Sequence, residues 1–332
     1  MRELLARLER WETELFLIGL AGWILPALFE PLAILAPLRL ALVLVAILWL
    51  ARVSGWREEA GTSRTVRLVA SQLASLLSPP VWLFSLRQIV GEIRSRVRSR
   101  FRPPTPDTWS FAGPIRLPVT GCWTVYNGGP TPETSHSWSL WGQRYAYDLV
   151  VTDHAGRTAP AGARRPEEHY AWNRPIVAPA DGIVVAVRNG HRDCPWIGVI
   201  DPLAWSPLGN FVVIQHEPGL HSLAAHLRRG SVCVRPGQRV QAGDLIGHCG
   251  NSGHSTEPHL HWQLMDRPDI TQAISLPVRF TRYWREREGI REPVEAGTPV
   301  RGERVCAEPD APCEPSSEQA EGSADSPAPA PA

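Results

Sequence analysis

Two histidines spaced one residue apart, His259 and His261, open a strand-like apolar run over residues 259–264. Side chains alternate along a strand, so His259, His261 and Gln263 share one face, while Leu260, Trp262 and Leu264 share the other. Two imidazoles about 7 Å apart on one face can both reach a divalent metal ion, one as ligand and one as acid or base beside it. A His-x-His pair alone is a weak signal, because buried structural histidines are commoner than ligands. Its surroundings strengthen it. The chain has eleven histidines, and two further segments carry residues able to act with the pair. These are Asp148 at the end of Gln143-Arg144-Tyr145-Ala146-Tyr147-Asp148, and His226 in Ala224-Ala225-His226-Leu227.

Between and after these lie glycine-punctuated stretches. They are Ala178-Pro179-Ala180-Asp181-Gly182, Gly209-Asn210-Phe211-Val212-Val213, Arg235-Pro236-Gly237-Gln238, Ala242-Gly243-Asp244-Leu245-Ile246-Gly247 and Gly250-Asn251-Ser252-Gly253-His254-Ser255-Thr256-Glu257-Pro258-His259-Leu260-His261. In this order, over residues 145–265, the chain resembles the lysostaphin-like zinc metallopeptidases of the M23 family, which cleave peptide cross-links of bacterial cell walls. The resemblance implies a zinc cofactor with Asp148 and His261 as ligands. It also implies that His226 and His259 are unligated catalytic histidines, which handle protons as a peptide carbonyl is attacked.

Two positions depart from that pattern. Where the family has a histidine ligand four residues before the aspartate, this chain has Arg144, whose guanidinium cannot ligate a metal. His136, in Thr134-Ser135-His136-Ser137-Trp138, is the nearest upstream histidine able to substitute; the alternative reading is a solvent-exposed loop histidine. Glu257 replaces a glycine, and its carboxylate is expected to shape the substrate groove or to pair with Arg144. His254 is expected beside substrate or as a surface loop histidine. Two readings follow: a membrane-anchored zinc endopeptidase of peptidoglycan cross-links, or a catalytically degenerate scaffold that regulates another wall hydrolase. Arg144 keeps the second open.

These residues need a rigid frame. Short β-like runs at 183–187, 210–215, 223–226, 245–249 and 259–264, separated by Gly, Pro, Asn and Asp, predict a mostly β, antiparallel sheet or barrel-sandwich domain of lysostaphin type over residues 106–290. Residues 1–58 hold two apolar stretches, 15–29 and 32–51, expected to be a pair of membrane helices. Residues 59–105 are arginine-rich; Leu86, Ile89, Val90, Ile93, Val97 and Phe101 recur there at helical spacing. Such a helix is expected either to lie on anionic lipid or to be a linker packed on a neighbouring domain or subunit. Residues 291–332 are expected to form a disordered, acidic, Pro/Ala-rich tail.

Composition narrows the chemistry further. The 332 residues carry 34 basic and 33 acidic side chains, and every basic one is arginine. Absence of lysine excludes a phosphate-binding P-loop lysine, a Schiff base and lipoyl or biotinyl attachment. The last of these removes the lipoyl carriers, whose glycine-rich hairpins are similar in type. The net charge of +1 averages unlike parts, since without residues 303–332 the chain is +7. Expected partners are peptidoglycan peptides, the lipid bilayer and cell-wall or division proteins, with no nucleic acid. Location is a conflict: arginines after a membrane hairpin favour the cytoplasm, whereas a wall substrate requires the periplasmic or extracellular side of the inner membrane. The substrate decides the expectation for the outer side. The six cysteines are too scattered for a metal site and cannot be paired from spacing.

Overall fold

The computed structural model describes residues 78–309, without Ala112, Pro202 and Glu288, together with Leu68 and Ser71. The two apolar stretches expected to span a membrane, residues 15–29 and 32–51, lie outside the described residues. Among those described, no helix is long and apolar enough to cross a membrane.

The chain is mostly antiparallel β. Helix α1 (Pro79–Arg98) precedes thirteen strands: β1 (Cys122–Asn127), β2 (Tyr147–Val150), β3 (Pro175–Val177), β4 (Gly182–Arg188), β5 (Asn210–Glu217), β6 (Leu220–Leu227), β7 (Arg239–Val240), β8 (Leu245–His248), β9 (Leu260–Met265), β10 (Ser275–Leu276), β11 (Phe280–Arg287), β12 (Ile290–Gly297) and β13 (Arg304–Cys306). The large sheet runs β12-β11-β13-β1-β2-β9-β6-β5-β4-β7, with β10 on β9, and β3 pairs β8 separately. The runs read from sequence at 183–187, 210–215, 223–226, 245–249 and 259–264 correspond to β4, β5, β6, β8 and β9.

Strands β2, β9 and β6, adjacent in the middle of the path, are buried along their whole lengths. One sheet face packs Trp123, Tyr147, Leu149, Ala224, Trp262 and Phe280 into the main core. The opposite face carries Val213, Leu223, Ala225 and Met265, with Ile270, Ala273 and Phe84 of α1 against them. His261 stands opposite Ala225 in the β6–β9 register, on this second face.

Helix α1 docks on the domain through Phe84 and a small, polar side. Gly91, Glu92 and Ser95 are buried, Ser95 Oγ donates to the Gln272 carbonyl at 2.9 Å, and Arg98 pairs with Asp266 at 2.8 Å. A neighbouring domain was one of the two surfaces expected for this helix, but its apolar stripe does not make the contact. Leu86, Val90, Ile93, Val97 and Phe101 remain exposed.

The expected boundary at residue 290 is corrected. The following residues form β12 and β13; β13 pairs with both β1 and β11, and Cys306 is disulfide-bonded to Cys122. The sequence of β12, Ile-Arg-Glu-Pro-Val-Glu-Ala-Gly, is half-exposed along one edge. Its polarity resembled a tail because an edge strand has little apolar surface to bury. Residues 310–332 lie outside the described set. Cys194, Cys233 and Cys249 are free thiols.

Candidate metal and catalytic site

The site is built where β2, β9 and β6 run side by side. Asp148 of β2 is the direct cross-strand partner of His261 of β9, so their side chains project from the same face. His261 Nδ1 lies 2.9 Å from Asp148 Oδ1. His259 precedes β9 by one residue and falls on that same face, its Nε2 3.7 Å from the same oxygen. The other carboxylate oxygen, Oδ2, faces His136 Nδ1 at 3.5 Å and accepts from Asn127 Nδ2 at 3.2 Å. Burial by itself would raise the Asp148 pKa. The surrounding His136, His261 and His259 outweigh it and hold the carboxyl well below the usual carboxylate range.

His226 reaches the site by a different route. Its neighbour Ala225 already faces His261, so strict alternation would turn His226 to the opposite face, toward the main core. Instead His226 adopts a left-handed backbone, with φ of 61°. Its N–H donates to the Leu208 carbonyl and its carbonyl accepts from Gly250 N–H. The ring then sits 4.8 Å from that of His259 and 5.9 Å from that of His261 between centroids. A non-glycine residue held there stores backbone strain, which persists only where neighbouring bonds over-determine it.

Two backbone carbonyls fix the histidine tautomers. His226 Nδ1 lies 2.8 Å from the Ser252 carbonyl, and His259 Nδ1 lies 2.8 Å from the Glu257 carbonyl. A carbonyl only accepts, so each neutral ring carries its proton on Nδ1 and presents a bare Nε2. Burial, reinforced by His259 and His261, pushes the His226 pKa well below its ordinary value, so this ring is neutral near pH 7. Ser252, Glu257 and Asn127 therefore matter as supports. Spacing in the sequence gave no signal for the carbonyls or for Asn127.

The structure brings together Asp148, His136, His226, His259 and His261, and sets three other candidates apart. Arg144 does not pair with Glu257. Its Nε donates to the Trp138 carbonyl at 2.9 Å, and its guanidinium lies 4.7 Å over Trp138 and 5.6 Å over Trp141. A delocalised cation stacks on indole faces, and this slot outcompetes a distant carboxylate. Glu257 turns instead to Thr158 Oγ1 at 2.9 Å and His169 Nδ1 at 3.7 Å. His254 is directed inward: its Nε2 is buried without a hydrogen-bond partner, and burial depresses its pKa to about 4.

The donor set matches zinc. One carboxylate and imidazole nitrogens are the ligand types that ion takes, and the described residues offer them around a single buried aspartate. The tightest such group among the described residues is a different one, Cys122, Cys306 and Glu286, with ligand atoms within 4.8 Å of one another, but both its sulfurs are consumed in the disulfide.

The family model for peptidase family M23 matches residues 169–272. That span contains His226, His259 and His261, while Asp148 and His136 precede it. Over 106 residues the chain is 38% identical to the peptidoglycan DD-endopeptidase ShyA of Vibrio cholerae, covering 31% of this chain and 21% of that protein. It is 37% identical over 71 residues to the DD-carboxypeptidase/endopeptidase Mpg of Neisseria meningitidis, covering 21% and 16%. It is also 36% identical over 75 residues to the glycyl-glycine endopeptidase ALE-1 of Staphylococcus capitis, covering 22% and 20%. The chain thus spans about a fifth of the length of the curated relatives it matches. The left-handed His226 at the end of β6 and the His-x-His pair that opens β9 both fall within residues 169–272, the part of the chain that matches peptidase family M23.

Proposed function

We propose that this domain is a zinc-dependent endopeptidase acting on the peptide cross-links of bacterial peptidoglycan. The observation that carries the reading is the Asp148 carboxylate, with nitrogens of His261, His136 and His259 at 2.9, 3.5 and 3.7 Å. Asp148, His261 and His136 would hold the ion, His136 replacing the ligand that Arg144 cannot supply. Bound zinc supplies Lewis acidity, acidifying water and polarising an amide carbonyl. The remaining work falls to His226 and His259, whose bare Nε2 atoms can take a proton from the attacking water and return it to the leaving amine. The names of the relatives, a peptidoglycan DD-endopeptidase and a glycyl-glycine endopeptidase, support the reaction class. The purified chain should contain about one zinc per molecule and should release peptide amines from isolated peptidoglycan. His261→Ala should abolish both. No zinc at saturating supply would sink the enzyme reading and leave the scaffold.

In the same reading the chain is anchored in the inner membrane, with the domain on the outer side. Three features support this. Residues 15–29 and 32–51 are apolar. The outward face of α1 carries Trp82, Leu86, Ile93, Val97 and Phe101, all at least half exposed, beside exposed Arg94, Arg100 and Arg102, a pattern suited to an anionic lipid surface. The Cys122–Cys306 bond suits an oxidising compartment. Protease added to spheroplasts should cut near residue 110; protection of that region would rule out wall cleavage by the anchored form.

A further inference from the structure

Besides a hydrogen bond to its neighbour Tyr145, Arg144 is bound to the turn that carries His136. Its Nε bonds the Trp138 carbonyl at 2.9 Å, and its guanidinium covers the rings of Trp138 and Trp141. Its own carbonyl accepts from Ser135 Oγ at 2.8 Å, and the adjacent Gln143 carbonyl accepts from Ser137 Oγ at 2.8 Å. Ser135 and Ser137 flank His136, so both sides of the histidine are tied to the segment ending at Arg144. Helix α1 grips the same turn from outside: Arg96 Nη2 bonds the Ser139 carbonyl at 3.1 Å and Glu92 Oε1 accepts from Trp141 N–H at 3.2 Å. His136 itself is 45% exposed at the side chain, so little core packing fixes its position.

We propose that Arg144 is a positioning residue. It stands where a ligand is expected, and instead clamps the 135–144 turn so that His136 is delivered to Asp148. The ligand has moved eight residues upstream, and the arginine is what makes that position usable. Planarity is essential to the role, because one group must stack on two indoles while donating to a carbonyl, which an ammonium cannot do.

The inference rests on His136 being a zinc ligand, and the test separates the two claims. Zinc affinity of the full chain is measured by chelator competition, and cobalt(II) substituted at the site reports ligand number through its visible absorption. His136→Ala should weaken zinc binding and change the cobalt spectrum. Arg144→Ala should reproduce that spectrum and weaken binding about 10–100-fold, the range for residues that orient a ligand. The double variant should bind no worse than His136→Ala alone, because the two act through one ligand. Arg144→Lys, which keeps the charge and disturbs folding less, should still lose affinity. Unchanged affinity in His136→Ala would end the ligand assignment and this proposal together. Weakened binding in His136→Ala with wild-type affinity and spectrum in Arg144→Lys would overturn the clamp alone.

Discussion

At the scale of single residues, the chemistry depends on which nitrogen of each histidine is free. Carbonyls of Ser252 and Glu257 hold the Nδ1–H of His226 and His259, leaving Nε2 as the proton acceptor. Replacing either with alanine should leave zinc content unchanged. Hydrolysis should nevertheless fall about 10²–10⁴-fold, the usual contribution of a positioned acid or base. Loss of zinc in His259→Ala would instead make that residue a ligand. His226 also shows how backbone and chemistry are joined, since only its left-handed conformation carries the ring past the face that alternation assigns it.

At the scale of elements, strand register places the site. Asp148 faces His261 across β2 and β9, and a slip of one residue would turn the carboxylate into the core. Helix α1 is the second positioning element, docked at a point where no side chain fits. A Cβ on Gly91 would collide with the Thr271 carbonyl oxygen, so Gly91→Ala must displace the helix or the 269–273 loop. We expect a loss of about 1–3 kcal/mol, as for overpacked interfaces, with faster amide exchange in α1. Because α1 also holds Ser139 and Trp141, zinc affinity should fall with it. A variant with wild-type stability and exchange would show that the contact is not tight.

At the scale of the whole molecule, the Cys122–Cys306 bond ties β1 to β13 across 184 residues of sequence. Cys306→Ser should lower stability by about 2–5 kcal/mol, read as a lower melting temperature, and reductant should lower the wild type toward the variant. Histidines set the response to acid. Burial lowers the pKa of His216, His221, His226, His248 and His254, the last to about 4. An unfolded chain, with histidine near its ordinary value of about 6.5, therefore binds more protons than the folded one below that pH. Stability should be full above about pH 7 and should decline as pH falls from about 6.5 toward 4. A melting temperature constant between pH 7 and pH 5 would contradict this.

Much of the site was legible in the linear chain because strand alternation is a local rule. The spacing of His259, His261 and Gln263 predicted their shared face, and the two histidines meet Asp148 there while Gln263 bonds the Gly142 carbonyl. The β4, β5, β6, β8 and β9 strands were readable for the same reason, each bounded by turn-forming residues. Contacts between distant segments were not. The fate of Arg144 depends on two indoles and a carbonyl that only the folded turn gathers, and the direction of α1 depends on which face meets the 269–273 loop. Strand β13 pairs with β1, far upstream, and the polar edge strand β12 that precedes it in sequence hid the domain's end. Periodicity records which face a residue belongs to; the choice of what that face touches is a long-range packing decision, made when the chain closes on itself.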